Sequence, residues 1–150
     1  MHGDNPIRVL TSVYFSDEGP SGIGVLAVNA PATSVGSVCE QTLGGEDELH
    51  FRSILRALQL GKDLGAKDIL VLSPADGIVK LVNREIALEP GSPLALLYIR
   101  IRALIYTYDR AEIRAVSRSR VRAARRLAVE ASRMPVRSSN PQYELFAAAG

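Results

Sequence analysis

One apolar run between two helical patterns restricts the fold more than any other feature of this chain. Residues 68–73 (DILVLS) form a continuous apolar stretch of strand length, which is typical of a central strand covered on both faces. Before it, apolar residues recur at helical spacing from Phe51 to Leu64, and the acids at 46–48 suit the first turn of that helix. After it, residues 75–83 are predicted to form a short helix. A strand placed between helices in this way favours an α/β fold.

Three further strand patterns precede this unit. Residues 8–15 alternate and are rich in β-branched side chains, residues 23–29 are almost entirely apolar, and residues 34–43 alternate again. Turn-forming residues at 19–22 and a proline at 31 separate the three runs. Connections this short predict an antiparallel meander.

The second half of the chain continues the alternation of helices and strands. Residues 94–109 are predicted as a long helix, residues 112–117 as a fifth strand and residues 120–133 as a final helix. The last stretch, 134–150, has two prolines and polar runs and is predicted to be a tail. The order βββ-α-β-α-α-β-α predicts one α/β domain over residues 1–133. Its sheet is mixed and five-stranded, with three antiparallel and two parallel strands.

The cysteine content and the apolar segments bear on the compartment. Cys39 is the only cysteine, which excludes an intrachain disulfide. The first ten residues lack the charged start and apolar run of a signal peptide, and no stretch reaches the length of a membrane span. The longest apolar region, residues 94–108, is interrupted by Arg100 and Arg102 and is predicted to be a buried helix. These features predict a cytoplasmic protein without a membrane partner.

Charge is distributed unevenly along the chain, although the net charge is only +2. Residues 1–50 carry seven acids and one arginine, whereas residues 111–150 carry eight arginines and three acids. Five of these arginines cluster around the last strand–helix junction, where their guanidinium groups suit phosphate geometry: Arg118, Arg120, Arg122, Arg125 and Arg126. The cluster indicates a nucleic-acid-binding face, and a solvated surface of an arginine-rich protein is the alternative.

The element order and several local motifs together resemble the ribonuclease H family. Residues 13–15 (VYF) and 22–26 (GIGVL) are similar to its first hairpin, and residues 54–58 (ILRAL) followed by 69–73 (ILVLS) to its first helix and fourth strand. Residues 78–82 (IVKLV) are similar to the helix after that strand, and residues 116–118 with 124–128 to the last strand and helix. The resemblance covers residues 8–132 and implies the family's mixed sheet, with the first and fourth strands parallel.

The resemblance also implies four positions for metal-binding carboxylates. In the family these acids hold two divalent cations, Mg²⁺ or Mn²⁺, which activate water at a phosphodiester. The four positions fall in strand 1, helix 1, the end of strand 4 and the last helix: Ser16 or Asp17, His50, Pro74 and Arg125. At most one carboxylate of four is retained, so no catalytic set and no metal site is assigned.

Two nearby acids are candidates to replace the missing ones. Glu48 lies two residues before His50, but two residues turn a helical side chain by roughly 200°, so it should point away. Asp76 lies two residues after Pro74 and could reach back toward the site. A capping role for Glu48 and a solvated turn for Asp76 are the simpler interpretations.

Three functions therefore stay open at the level of sequence. The first is a catalytically inactive ribonuclease H-like protein that binds nucleic acid weakly, as RNA–DNA hybrid or single strand, without a cofactor. The second is an active metal-dependent nuclease with a rearranged site. The third is a protein-interaction scaffold that uses the helix of residues 94–108. Fold alone does not decide between them.

Overall fold

The computed structural model describes residues 5–29, 33–39, 45–134 and 144–146, which form a mixed sheet with helices on both faces. The strands are β1 (Ile7–Tyr14), β2 (Ser21–Ala27), β3 (Thr33–Cys39), β4 (Asp68–Ser73), β5 (Arg110–Ala115) and β6 (Glu144–Phe146). The helices are α1 (Gly45–Asp63), α2 (Asp76–Val82), α3 (Ala95–Ile105) and α4 (Arg122–Ser132), and a 3₁₀ turn (Arg118–Val121) leads into α4.

The strand order is β5-β4-β1-β2-β3-β6. β1, β2 and β3 form the antiparallel meander, and β4 pairs in parallel with both β1 and β5. The predicted mixed sheet of five strands, with β1 and β4 as parallel neighbours, is therefore confirmed. The short strand β6 comes from the segment predicted to be a tail and extends the edge of the sheet by pairing with β3.

The two faces of the sheet pack against different helices because successive side chains of a strand point to opposite sides. On one face, Val9, Val25 and Val71 are fully buried beneath α1, whose own apolar side includes Ile54 and Leu58. On the other face, α4 lies across β1, β2 and β3. The main core is therefore between the sheet and α1, and a second, thinner layer separates the sheet from α4.

The element bounds differ from the predicted ones at three places. The fifth strand begins at Arg110, because its pairing with β4 starts at Asp68. The helix predicted to run to residue 109 ends at Ile105, and the last helix is preceded by the 3₁₀ turn. The third strand is described only as far as Cys39, so the rest of its predicted range lies outside the described residues.

The prediction that residues 94–108 form a buried helix is wrong. Only Ile101 of α3 is fully buried, while Leu96 and Ile99 are 69% and 60% exposed. Apart from Arg100 and Arg102, apolar residues are distributed around the whole of α3, so the sequence pattern does not show which side contacts α1. In the described ranges, no helix has the length and apolar character needed to cross a membrane.

Candidate functional site

A cleft of about 730 Å³ opens where the ends of β1 and β4 meet the start of α1, the start of α2 and the 3₁₀ turn. The parallel register pairs Val9 with Val71 and Leu10 with Leu72, and its continuation sets Ser12 level with Pro74. Both of these residues line the cleft. The carboxyl ends of parallel strands are where α/β sheets commonly hold their ligands, so this edge is the candidate functional site.

Two glycines of β2 allow α4, which carries Arg125, to pack closely against the sheet. A Cβ atom at Gly22 would lie 1.9 Å from the carbonyl oxygen of Ala128, and one at Gly24 would lie 1.9 Å from that of Ala124. Ala124 and Ala128 are themselves fully buried. Because the glycines of β2 and the alanines of α4 have small side chains or none, the backbone of α4 rests directly on β2. Arg125, the residue after Ala124, then reaches β1.

Arg125 extends from α4 along the cleft wall to the end of β1. Its Nη1 donates a hydrogen bond of 3.1 Å to the carbonyl oxygen of Val13. Its guanidinium carbon lies 5.5 Å from the centre of the Tyr14 ring, within the range of a cation–π contact. A guanidinium has five N–H donors, so others are left to face the cleft that Arg125 lines.

His50 lies on the opposite wall, on α1. Its side chain is only 12% exposed, and its Nε2 is 3.9 Å from Glu46 Oε2. Burial lowers the pKa of His50 and Arg118 adds to that effect, while Glu46 and Asp47 oppose it. The buried Nδ1 has no hydrogen-bond partner among the residues that the structure describes. His50 is therefore held mainly in its neutral form.

Charged groups of both signs line the cleft, and cations are in the majority. Glu46 and Asp47 come from the first turn of α1, where the helix dipole favours acids. Arg118 and Arg122 line the cleft together with Arg125. One wall is therefore positive, formed by the 3₁₀ turn and α4, and faces a weaker acidic patch at the start of α1.

Of the sequence-predicted site residues, the structure brings five into this cleft: His50, Pro74, Arg118, Arg122 and Arg125. Three others lie elsewhere. Asp17 is exposed in the turn between β1 and β2, Arg120 lines a different groove, and Arg126 is exposed on α4 without lining the cleft.

The two acids considered as replacements do not line the cleft either. Glu48 is buried in α1 and its Oε2 accepts a 2.7 Å hydrogen bond from Arg52 Nε, as expected for a side chain that points away. Asp76 is exposed at the start of α2, with Oδ2 3.2 Å from Lys80 Nζ. Neither acid is positioned to rebuild a metal site.

The residue missed by the sequence reasoning is Ser12. Counting back from the first hairpin assigned the strand-1 position to Ser16 or Asp17, but both follow the end of β1. The available signal was the register of β1 against β4: residues 7–10 pair with residues 69–72, and two residues further Ser12 is level with Pro74. In the structure, Ser12 near the end of β1 and Pro74 directly after β4 both line the cleft.

These residues do not fit the divalent metal ions that the resemblance implies. Pro74 has no side-chain ligand, Ser12 has only a neutral hydroxyl, and the guanidinium of Arg125 repels a cation. The described part of the chain also holds no cluster of three or more histidine, cysteine or acidic residues that could bind a metal.

Comparison with known structures finds the same fold in ribonucleases H. A ribonuclease H1 from Halobacterium salinarum superposes with a TM-score of 0.76 at 18% identity, over 85% of this chain and 97% of that one. The N-terminal ribonuclease H domain of a Mycobacterium tuberculosis protein gives 0.69 at 22% identity, over 84% and 94%. LC11-RNase H1, isolated from compost by a metagenomic approach, gives 0.70 at 17% identity in complex with an RNA/DNA hybrid, over 84% and 96%.

Sequence comparison adds the family to the fold. Curated protein sequences contain no significant match. The model of the family described as reverse transcriptase-like, however, matches residues 11–131, which is most of the chain and includes every residue that lines the cleft. The chain therefore belongs to the reverse transcriptase-like family and has the ribonuclease H fold.

Proposed function

We propose that this protein is a ribonuclease H-like protein that binds nucleic acid weakly and without metal, and does not cleave it. The observation that carries the proposal is the place of Arg125. Its side chain lines the same cleft as Ser12 and Pro74 and reaches Val13 at the end of β1, where the family's nucleases would hold cations with acids. A fixed positive group there attracts a phosphate directly.

The neighbouring charges support an anionic ligand. Arg118 and Arg122 face the same cleft, and arginine binds phosphate with paired, planar hydrogen bonds. Glu46 and Asp47 offset part of this charge, so the attraction is modest. One structural relative, LC11-RNase H1, is known in complex with an RNA/DNA hybrid, which makes nucleic acid the natural class of ligand to test.

Binding is measured by fluorescence anisotropy at low salt, with an RNA–DNA hybrid and with single-stranded oligonucleotides. We expect dissociation constants of roughly 1–100 μM that weaken steeply with salt and do not change with EDTA. Arg122→Gln and Arg125→Gln should each weaken binding. Arg133→Gln is the matched control. Arg133 is exposed and lies about 16 Å from Arg122 along the axis of α4.

Cleavage is measured on the same hybrid with Mg²⁺ and with Mn²⁺, and we expect none. Metal-dependent cleavage that disappears in Asp47→Asn would overturn the proposal, because that acid lines the cleft and would have to be part of a rearranged site. Absence of binding at low salt, or binding that Arg125→Gln leaves unchanged, would contradict the assignment of the cleft. The domain would then be better described as a protein-interaction scaffold.

A further inference from the structure

A second cavity, of about 350 Å³, lies on the other side of the 3₁₀ turn, over the part of the sheet formed by β1, β4 and β5. Three arginines line it: Arg8 from β1, Arg114 from β5 and Arg120 from the 3₁₀ turn. None of the residues that line it is acidic. We refer to it as the arginine groove.

The register of the sheet explains why these arginines meet. Arg8 pairs with Leu70, and Leu72 pairs with Arg114, so the two leucines form an apolar floor between two cations on one face. α4 packs across β1, β2 and β3, on the neighbouring part of that face. The side chain of Arg114 is exposed, which leaves the β5 side of the floor accessible.

The wall next to Arg8 is fixed by hydrogen bonds. The side chain of Asn29 accepts a 2.7 Å bond from the backbone nitrogen of Arg8 and donates a 2.9 Å bond to the carbonyl oxygen of Pro6. Arg114 is held by Glu112, whose Oε2 accepts bonds of 2.9 and 2.7 Å from Nε and Nη2. Glu112 offsets part of that charge, so Arg8 and Arg120 are the principal cations of the groove.

The 3₁₀ turn joins this groove to the cleft. Successive residues of a 3₁₀ helix are rotated by about 120°, so residues two apart point in clearly different directions. Arg118 accordingly lines the cleft and Arg120 lines the groove. The arginines thus form one positive path from Arg125 and Arg122, around the turn, to Arg8.

We propose that the arginine groove is a second phosphate-binding site, and that a single-stranded nucleic acid occupies the cleft and the groove together. The path bends around the 3₁₀ turn, which a flexible single strand can follow and a stiff duplex cannot. Leu72 is buried, but Leu70 is partly exposed, so a base can rest on this part of the floor while the phosphates contact the arginines on either side. This inference rests on the proposed function of the cleft and extends it to the kind of strand that is bound.

The test compares two lengths of fluorescent oligothymidylate, 4 and 12 nucleotides, by anisotropy at low salt. The shorter strand can occupy one site only, whereas the longer one can reach both, within the range of about 4–16 nucleotides known for single-strand-binding domains. We expect the 12-mer to bind at least about tenfold more tightly than the 4-mer, and more tightly than a duplex of 12 base pairs.

The variants separate the groove from the cleft. The double variant Arg8→Gln/Arg120→Gln should reduce the affinity for the 12-mer to that for the 4-mer. It should also reduce the slope of log affinity against log salt concentration by about 0.7 for each arginine removed. Arg122→Gln/Arg125→Gln should weaken both lengths, and Arg133→Gln should change neither. Thermal unfolding of each variant verifies that it is folded.

Two results would overturn the inference in different ways. If the groove variant binds the 12-mer like Arg133→Gln does, while the cleft variant is weakened, the groove is not a site and the proposed function stands. If the natural protein binds neither length at low salt, both the groove and the proposed function fail.

Discussion

Gly24→Ala tests the contact that positions Arg125. A methyl group at Gly24 would lie 1.9 Å from the carbonyl oxygen of Ala124, and real Cβ contacts are essentially never closer than 3.0 Å. The obstacle is helix backbone, so α4 has to move by roughly 1 Å or more, because a close-packed interior leaves no free space. That movement strains the layer between α4 and β2 and pulls Arg125 away from the carbonyl of Val13.

The expected cost follows from overpacking, which destabilises proteins by about 1–3 kcal/mol. For a chain of 150 residues this lowers the melting temperature by roughly 3–10 °C. The measurement is thermal and urea unfolding followed by circular dichroism, with anisotropy on a single-stranded oligonucleotide as a second readout. Affinity should fall along with stability, because the same displacement moves Arg125.

Gly77→Ala is the matched control for the unfolding measurement only, because Gly77 itself lines the cleft. Gly77 lies in α2, and nothing lies within 4 Å of the position a Cβ atom would take. Alanine should stabilise the helix there by up to about 1 kcal/mol. If Gly24→Ala unfolds within 1 °C of the natural protein, the backbone of α4 does not rest on β2 as described, and the account of how Arg125 is positioned is wrong.

Two further substitutions concern buried polar groups. Tyr108 donates its hydroxyl hydrogen to the carbonyl oxygen of Leu58, and burial, with a contribution from Asp63, raises its pKa to about 12. Tyr108→Phe should therefore cost about 0.5–1.5 kcal/mol in urea unfolding and remove a high-pH step from the ultraviolet titration. A decrease of less than about 0.3 kcal/mol in the free energy of unfolding would argue against the hydrogen bond from Tyr108 to Leu58. The pKa of His50 is lowered in the fold, so the unfolded chain binds more protons just below pH 6.5. The contribution of neutral His50 to the free energy of unfolding should be fully present above about pH 6.5 and should be lost as the pH falls through the lowered pKa. The free energy of unfolding should therefore fall less steeply with acidification in His50→Gln, and identical pH profiles for the two proteins would refute this.

The order of elements could be predicted from the sequence because each element carries its own local signal. The run at residues 68–73 and the helical spacing of Phe51, Ile54 and Leu58 placed β4 and α1 correctly, and the turn residues separated the three antiparallel strands. The position of α3 in the chain was predicted correctly, but its burial was not. Its apolar residues surround the helix, and only tertiary contacts select the side that is covered.

The candidate site could be predicted only in part. His50, Pro74 and Arg125 were found because each lies at a fixed distance from an apolar motif, His50 before its motif and the other two directly after theirs. Ser12 was missed because the turn after β1 has no fixed length, and only the register against β4 shows that this residue is level with Pro74. The arginine groove was not predicted, although Arg120 was part of the predicted arginine cluster. It depends on Arg8, which is more than 100 residues away from Arg114 and Arg120 in the chain and is brought close to them by the parallel strands.

The hydrogen bond from Arg125 to the carbonyl of Val13 also restricts how this domain could evolve. An acid at position 125 has a shorter side chain and no hydrogen to donate, so this bond would be lost, and the acid would lack carboxylate partners for a metal while Ser12 and Pro74 remain. A single substitution to an acid at this position would therefore weaken the proposed anion site and gain no cation site. A change to a metal-binding cleft would need several of these positions to change together.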